Sequence, residues 1–425
     1  MNLIEELRWR GMLQDIMPGT EELLQKEMTT AYIGFDPTAD SLHIGSLVPI
    51  LLLLHFQNAG HRPIALIGGA TGMVGDPSGK SEERNLLSED QLQQNILGIS
   101  TQLSRYLDFD PGRQNAAEVV NNYDWFKELS FIHFLRDVGK HITVNYMMSK
   151  DSVRKRIEGD TGISYTEFAY QLMQGYDFYW LFKNKNCKLQ MGGSDQWGNI
   201  TTGTELIRRK DGGEAFAFTC PLITKADGGK FGKTEKGNVW LDAEKTSPYQ
   251  FYQFWLNASD ADAEKWIKIF TFLPKNEIEE LLHMHTENPG ARELQRKLAQ
   301  QVTIFIHGLE EYGKAVETTA KLFANQSAPV ESMSIEDLES LEGVVKVDFS
   351  LSRLKEEIDI VSFLAETGIF PSKGEARKMV QNGGLSINRN KVNEIGMQLN
   401  EALLLHHKYF LVQKGKKNYY LIEVG

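Results

Sequence analysis

The sequence predicts an α/β protein: a Rossmann-like, doubly wound parallel-sheet domain, followed by an α-helical domain and a small α+β domain. Short apolar runs, Ala31 to Phe35, Pro63 to Gly68 and Cys187 to Met191, alternate with helical stretches. Strand, helix, strand in that order predicts right-handed βαβ units. Each run also empties into a turn rich in Gly, Asp and Pro, at the strand end where open α/β sheets bind ligands. A length of 425 residues leaves room for two or three domains with a sizeable core.

Composition narrows the class. The longest apolar run, Leu47 to Leu54, is far short of the ~20 residues of a membrane span. The N-terminus MNLIEELRWRG is charged and has no apolar signal region. Cys187 and Cys220 stand without CxxC or His partners, which argues against a disulfide scaffold and against structural zinc. The chain reads as a soluble cytoplasmic protein with no membrane association. Its net charge is −11, unevenly spread. Residues 351–425 carry 11 Lys and Arg against 8 Asp and Glu, or +3, leaving −14 elsewhere. A mildly basic tail on an acidic body permits local binding of a polyanion.

In chain order, Met1 to Gln25 has helical spacing through Leu3, Leu7 and Leu13. The first strand then runs into the turn at Asp36-Pro37-Thr38, because proline removes a ladder donor. After this turn comes His43-Ile44-Gly45-Ser46, with Ser46 as expected N-cap of an apolar helix, Pro49 in its first turn and Gly60 at its end. Backbone N–H groups and the positive end of that helix suit a bound triphosphate.

The second strand leads into GGATGMVGDPSGK, residues 68–80, whose glycines admit close backbone approach and which is not a Walker loop. Asp76 lies just past that strand, with Lys80 and Arg84 as phosphate contacts or solvated charges. Residues 86–120 read as a helix and then a short strand, AEVVNN. The region near 126–160 reads as an insertion between the halves of the sheet, basic from Lys140 to Arg156, and as a candidate dimer surface.

Residues 164–182 form an apolar helix with a polar stripe. Tyr170, Gln174 and Asp177 lie at i, i+4 and i+7 and share one face. Burying such groups unpaired costs a few kcal/mol, so the stripe faces a cavity or finds partners. The strand CKLQM then opens into GGSDQWGNI, with Gly193, Asp195 and Gln196 at its carboxyl end. FAFTCPLIT reads as an edge or linking strand, and Lys230-Phe231-Gly232-Lys233-Thr234 as a glycine-flexed loop able to fold over a leaving pyrophosphate.

YIGFDPTADSLHIG, GGATGMVGDPSGK, the YxxxQxxD helix, GGSDQWGN and KFGKT, in this order, resemble the bacterial-type tyrosyl-tRNA synthetase family of class I aminoacyl-tRNA synthetases. The resemblance spans essentially the whole chain. One departure is visible: the family signature usually written HIGH ends here in Ser46, whose hydroxyl can still donate one hydrogen bond. The resemblance implies ligation of tyrosine to tRNA(Tyr) in two steps, through tyrosyl-adenylate with release of pyrophosphate. It implies ATP with Mg2+, no organic cofactor, no zinc and a homodimer.

It also distributes roles. Thr38, His43, Ser46, Lys230, Lys233 and Thr234, with mobile Lys80 and Arg84, stabilise the reacting phosphates. Gly34, Asp36, His43, Gly45, Gly193, Asp195 and Lys233 hold ATP. Tyr32 and Asp177 hydrogen-bond the phenol of L-tyrosine. Asp76, Tyr170, Gln174 and Gln196 take its ammonium group and orient its carboxylate.

Domains are expected at 1–222 (catalytic), 223–324 (the KFGKT loop and an α-helical domain) and 350–425 (RNA-binding), with a linker at 325–349. The tail resembles a small RNA-binding domain shared with a ribosomal protein, and Arg353, Lys373, Arg377, Lys378 and Lys391 are spaced for phosphate contacts. Two other readings compete: an RNA-binding regulator that has lost catalysis, and a tryptophanyl relative, which has no use for Tyr32 with Asp177.

Overall fold

Five short strands, β1 (Thr30–Phe35), β2 (Arg62–Ile67), β3 (Glu118–Asn121), β4 (Cys187–Gly193) and β5 (Phe216–Cys220), pair in the order β3-β2-β1-β4-β5. All pairings are parallel. The chain winds outward from β1 in both directions, so the strand order reverses at β1 and β4, where such sheets open a crevice at their carboxyl ends. The computed structural model describes residues 2–78, 87–159, 162–229, 231–234, 237–323, 333–341, 343–415 and 418–425, with Lys233 and Thr234 by backbone alone.

The helices of this region are α1 (Leu3–Arg10), α2 (Thr20–Lys26), α3 (Leu47–Asn58), α4 (Glu89–Leu103), α5 (Tyr123–Phe126), α6 (Phe131–Asp137), α7 (Val144–Met148), α8 (Asp151–Ile157), α9 (Tyr165–Lys185) and α10 (Trp197–Asp211). Helix α3 is buried at nearly every position, as expected of LVPILLLLHF, a helix apolar all round. A capping box of Ser164 and Glu167 starts α9, and Asn186 in the left-handed region ends it. Glu167 also forms a buried bidentate pair with Arg156 of α8, at 2.9 and 2.8 Å.

The helical spacing of Met1 to Gln25 is realised only in part. Between α1 and α2 the chain runs alongside β5: Gln14 N–H donates to the Thr219 carbonyl at 2.7 Å, Met17 N–H to Ala217 at 2.9 Å, and Thr219 N–H to Asp15 at 2.8 Å. An edge strand offers unpaired backbone groups, and this segment covers them.

Past the sheet come β6 (Lys233–Thr234), β7 (Gly237–Asn238), α11 (Pro248–Leu256), α12 (Asp260–Ile269), α13 (Lys275–Glu287) and α14 (Glu293–Phe323), whose path breaks at Gly308 with φ 89°. Then follow α15 (Ile335–Glu339), β8 (Val345–Phe349), α16 (Leu351–Lys355), β9 (Ile358–Asp359), α17 (Ile360–Glu366), α18 (Lys373–Gln381), β10 (Leu385–Ile387), β11 (Asn390–Lys391), β12 (Gln398–Leu399), β13 (Tyr409–Lys414) and β14 (Asn418–Val424). The chain forms two compact units: Met1–Lys245 with Ala258–Leu298, and Thr246–Asn257 with Ala299–Gly425.

In the second unit a sheet of order β11-β10-β13-β14-β8 packs on α17 and α18, with Phe363 edge-on to Phe349 and Phe410 at 4.9 and 5.5 Å. The stretch expected as a linker, 325–349, holds more structure than that. Residues 325–332 lie outside the described residues, but α15 and β8 follow, and β8 pairs in parallel with β14. Alternating Val345, Val347 and Phe349 supply that strand's apolar face within an acidic segment.

Candidate active site

The carboxyl ends of β1, β2 and β4 deliver the predicted motifs to one side of the sheet. Gly34 is exposed although β1 is central, so a ligand can approach its backbone where any side chain would stand. Thr38, the last residue of the turn that follows β1, is also exposed.

His43 is extended, and its Nδ1 accepts the Gly45 N–H at 3.0 Å. The neutral ring therefore carries its hydrogen on Nε2, as a donor. A Cβ on Gly45 would lie 2.7 Å from His43 Cε1, so glycine is required for this arrangement. Ser46 departs from expectation. Its backbone is already helical, its hydroxyl makes no capping bond, and a short 3₁₀ turn, Ile44–Ser46, precedes α3. The side chain that caps this turn is His43.

The KFGKT segment lies against this turn. Ile44 N–H donates to the Val239 carbonyl at 2.9 Å, Val239 N–H to Gly232 at 3.0 Å, and Leu241 N–H to Leu42 at 2.9 Å. The His43 ring meets Trp240 edge-on at 6.1 Å. Two motifs nearly two hundred residues apart are thus joined by a short backbone ladder. Lys80, Arg84 and Lys230 lie outside the described residues, and only the backbone of Lys233 and Thr234 is described.

Toward the other end of the crevice, polar side chains lock together. Asp36 accepts from Thr71 Oγ1 and from the Tyr170 hydroxyl, both at 2.8 Å. Asn122 Nδ2 donates to Thr71 Oγ1 at 3.1 Å and to Asp177 Oδ2 at 3.0 Å, while its Oδ1 accepts the Ala70 N–H at 2.7 Å. Trp125 Nε1 donates to Asp177 Oδ1 at 2.9 Å. Thr71 receives the Asn122 hydrogen, so its own proton goes to Asp36. A Cβ on Gly68 would sit 2.1 Å from Asp36 Oδ1, which fixes glycine there.

Asp76 accepts from Gln196 Nε2 at 2.7 Å, from the Ser78 N–H at 2.9 Å and from Asn199 Nδ2 at 3.4 Å. Gly193 and Asp195 are adjacent: a Cβ on Gly193 would lie 2.6 Å from Asp195 Oδ1. Gln174 shares the Tyr170 and Asp177 face of α9 and is half-buried.

Electrostatics follow from enclosure. Asp177 is 2% exposed, and burial pushes its carboxyl up to about 8, against the pull of the Asn122 and Trp125 donors. Burial also raises the phenols of Tyr32 and Tyr170, the first further by Asp177 and the second by Asp36 and Asp76. The Tyr32 hydroxyl is buried without a hydrogen-bond partner among the described residues.

The structure therefore brings Asp36, Tyr170 and Asp177 into one network, Asp76 and Gln196 into another, and His43 beside the KFGKT ladder. Sequence reading missed Thr71, Asn122, Trp125, Asn199 and Trp240 as members. Asn122 ends the AEVVNN run and Trp125 follows it, and their position past the end of β3 was the available signal.

In the second unit the basic residues divide. Arg353 is held by Glu366 at two 3.0 Å contacts and by Glu356 at 3.1 Å. Lys373 donates to Ser362 Oγ at 2.9 Å. Arg377 and Lys378 on α18 and Lys391 on β11 are exposed.

A parallel sheet with an HIGS turn past its central strand, and Gly232 of the KFGKT motif linked to that turn through Val239, points to the class I aminoacyl-tRNA synthetases. Residues 24–324 match the family described as tRNA synthetases class I (W and Y), and residues 339–422 match the tyrosine–tRNA ligase SYY-like C-terminal domain. The chain is 61% identical over its full length and that of the relative to a tyrosine–tRNA ligase of Porphyromonas gingivalis, and 60% identical to one of Bacteroides fragilis with 99% of each covered. Among solved structures, a C-terminally truncated mitochondrial tyrosyl-tRNA synthetase of Aspergillus nidulans superposes with TM-score 0.68 at 30% identity, over 76% of this chain and 94% of that one. The chain belongs to the tyrosyl-tRNA synthetase family.

Proposed function

We propose that this chain activates L-tyrosine with ATP, releasing pyrophosphate, and passes the tyrosyl group to the 3′ end of tRNA(Tyr). The observation that carries the reading is the buried pair Tyr32 and Asp177, at the closed end of a crevice whose open end holds His43 against the KFGKT ladder. The tyrosine carboxylate is the nucleophile and is already ionised, so its attack on the α-phosphate needs no general base. Acceleration comes from alignment and from stabilising charge on the phosphates.

His43 donates from Nε2 to those phosphates, with Thr38, Ser46, Lys230, Lys233, Thr234, Lys80 and Arg84 as further donors on the strength of their motifs. Gly34, Gly45 and Gly193 leave room for the nucleotide, and Asp36 and Asp195 serve its binding. Magnesium enters with ATP as part of the substrate. Tyr170, Gln174, Asp76 and Gln196 receive the ammonium and carboxylate groups.

A homodimer through the insertion fits its exposed apolar residues, among them Phe131, Ile132 and Val144. Arg377, Lys378 and Lys391 suit phosphate contacts in the 350–425 domain, with Lys373 and Arg353 nearby. A cytoplasmic site of action accords with substrates found there.

The test is amino-acid-dependent ATP–pyrophosphate exchange without tRNA. Exchange with tyrosine, and not with phenylalanine or tryptophan, is the expected result. No exchange with any of the three would overturn the ligase, and exchange with tryptophan would overturn the pocket assignment.

A further inference from the structure

Between Ala226 and Val239 the sequence has a single large apolar side chain, Phe231, in a stretch otherwise of glycine and polar residues. Its ring is half-buried and is held by α12 from two sides. It stacks on Phe270, just past the end of that helix, at 5.2 Å and 16°, and meets Trp266 edge-on at 5.0 Å. Trp266 and Phe270 are each 2% exposed. A glycine-flexed loop has many conformations open to it, and a ring seated between two buried rings removes most of them.

Helix α12 grips the same segment at a second point. Asp262, buried in its first turn, accepts the Ala226 N–H at 2.8 Å through Oδ1 and the Ser259 hydroxyl at 2.7 Å through Oδ2. The far end of α12 is fixed in turn. The buried guanidinium of Arg10 on α1 donates to the carbonyls of Lys268, Thr271 and Leu273 at 2.7, 2.8 and 2.9 Å. A helix end leaves carbonyls without helical partners, and a cation there satisfies them and complements the helix dipole. Immediately after Phe231 the chain turns to a different support. Gly232 has φ 81°, its carbonyl accepts the Val239 N–H, and a Cβ on it would lie 3.0 Å from Ile44 Cγ1. Two consecutive residues of the motif are thus pinned, one by α12 and one by the HIGS turn, and the next residue is Lys233.

We infer that α12 is the seat of the KFGKT motif and that Trp266 is a positioning residue for adenylate formation, acting through Phe231 on the placement of Lys233. This rests on the ligase reading above. An ammonium group on a flexible stem stabilises charge on a departing pyrophosphate only when its backbone starts from the right place. Without the Trp266 edge, Phe231 leaves its slot and Lys233 loses its fixed starting point. The binding of tyrosine, at the other end of the crevice, is untouched.

The experiment uses the full-length protein in ATP–pyrophosphate exchange, with Trp266→Leu, Trp266→Phe, Lys233→Ala and the double variant Trp266→Leu/Lys233→Ala. Trp266→Leu should lower kcat about tenfold or more with the tyrosine KM within about threefold, and Trp266→Phe, which keeps an aromatic edge, should stay within about threefold of wild type. The double variant should fall no more than about threefold below Lys233→Ala alone, because a residue that acts through Lys233 has nothing left to position. Full multiplication of the two single effects would overturn the proposal in favour of a packing role. So would an unchanged kcat in Trp266→Leu, or a tyrosine KM that rises as far as kcat falls. Thermal melting establishes folding. Should Trp266→Leu not fold, Phe231→Leu, which leaves α12 intact, is read in the same cycle, and failure of both to fold also overturns the proposal. Wild-type protein without tyrosine exchange sinks the underlying reading instead, so the two failures are distinguishable.

Discussion

The two ends of the crevice are built on opposite principles. At the end proposed for the phenol each carboxylate oxygen of Asp36 and Asp177 has a donor, and Asn122 is fixed by three hydrogen bonds. At the end proposed for the phosphates Thr38 is exposed, Ser46 makes no cap, and Gly232 of the KFGKT segment is linked to the HIGS turn through the backbone of Val239. Rigid, desolvated groups discriminate between amino acids, because a wrong ligand leaves them unpaired. Groups facing developing phosphate charge need reach and access instead. On the function proposed above, selectivity would be concentrated where burial is deepest, and catalysis where the turn is open.

The sharpest way to break this contrast is Asp177→Ala. It should lower kcat/KM for tyrosine by about 10³-fold or more in pyrophosphate exchange, since Trp125 loses its acceptor and Asn122 one of its two. A fall under tenfold would show that the buried end does not set selectivity. His43→Ala comes next, with kcat reduced about 10²-fold and the tyrosine KM within about threefold, because the donor acts on the transition state. If KM rises in step with the fall in kcat, the two ends are not separable.

Gly68→Ala tests the packing beneath Asp36. A methyl group 2.1 Å from the carboxylate must displace it, so the melting temperature should fall by several degrees, with about 2 kcal/mol or more lost. An unchanged melt would show that Asp36 is not fixed there. Asp177→Asn sharpens the comparison through pH. The native carboxyl titrates at about 8 and the unfolded one near 4, so the native state binds more protons between those values and stability falls as pH rises through them. The asparagine variant should show a shallower fall of melting temperature from pH 5 to pH 8, while losing tyrosine activation. Equal slopes would mean that Asp177 titrates normally in the fold. The smallest effect is expected from Ser46→Ala, a change in kcat of about threefold to tenfold, as one neutral hydroxyl contributes ~1 kcal/mol.

Much of the site was legible because its signals are local. The apolar run before Asp36-Pro37, the HIGS turn and the i, i+4, i+7 stripe of Tyr170, Gln174 and Asp177 follow from strand and helix periodicity. Residues that join the network from elsewhere were not. Thr71 and Asn122 gain meaning only because β2 and β3 lie side by side, and Trp240 only because Val239 and Leu241 pair with Ile44 and Leu42. Ser46 shows the converse error. Its type and position fit an N-cap, but an intervening 3₁₀ turn passed that task to His43.

The sequence by itself determined the alternation of strands and helices, the motifs at the strand ends and the family they belong to, because hydrophobic periodicity and turn chemistry are short-range properties. Only the tertiary structure decided which strands neighbour which. Strand order bridged Asp36 to Asp177 through Thr71 and Asn122. Burial then moved the Asp177 carboxyl, since desolvation depends on what the rest of the chain packs around a group and not on its neighbours in sequence.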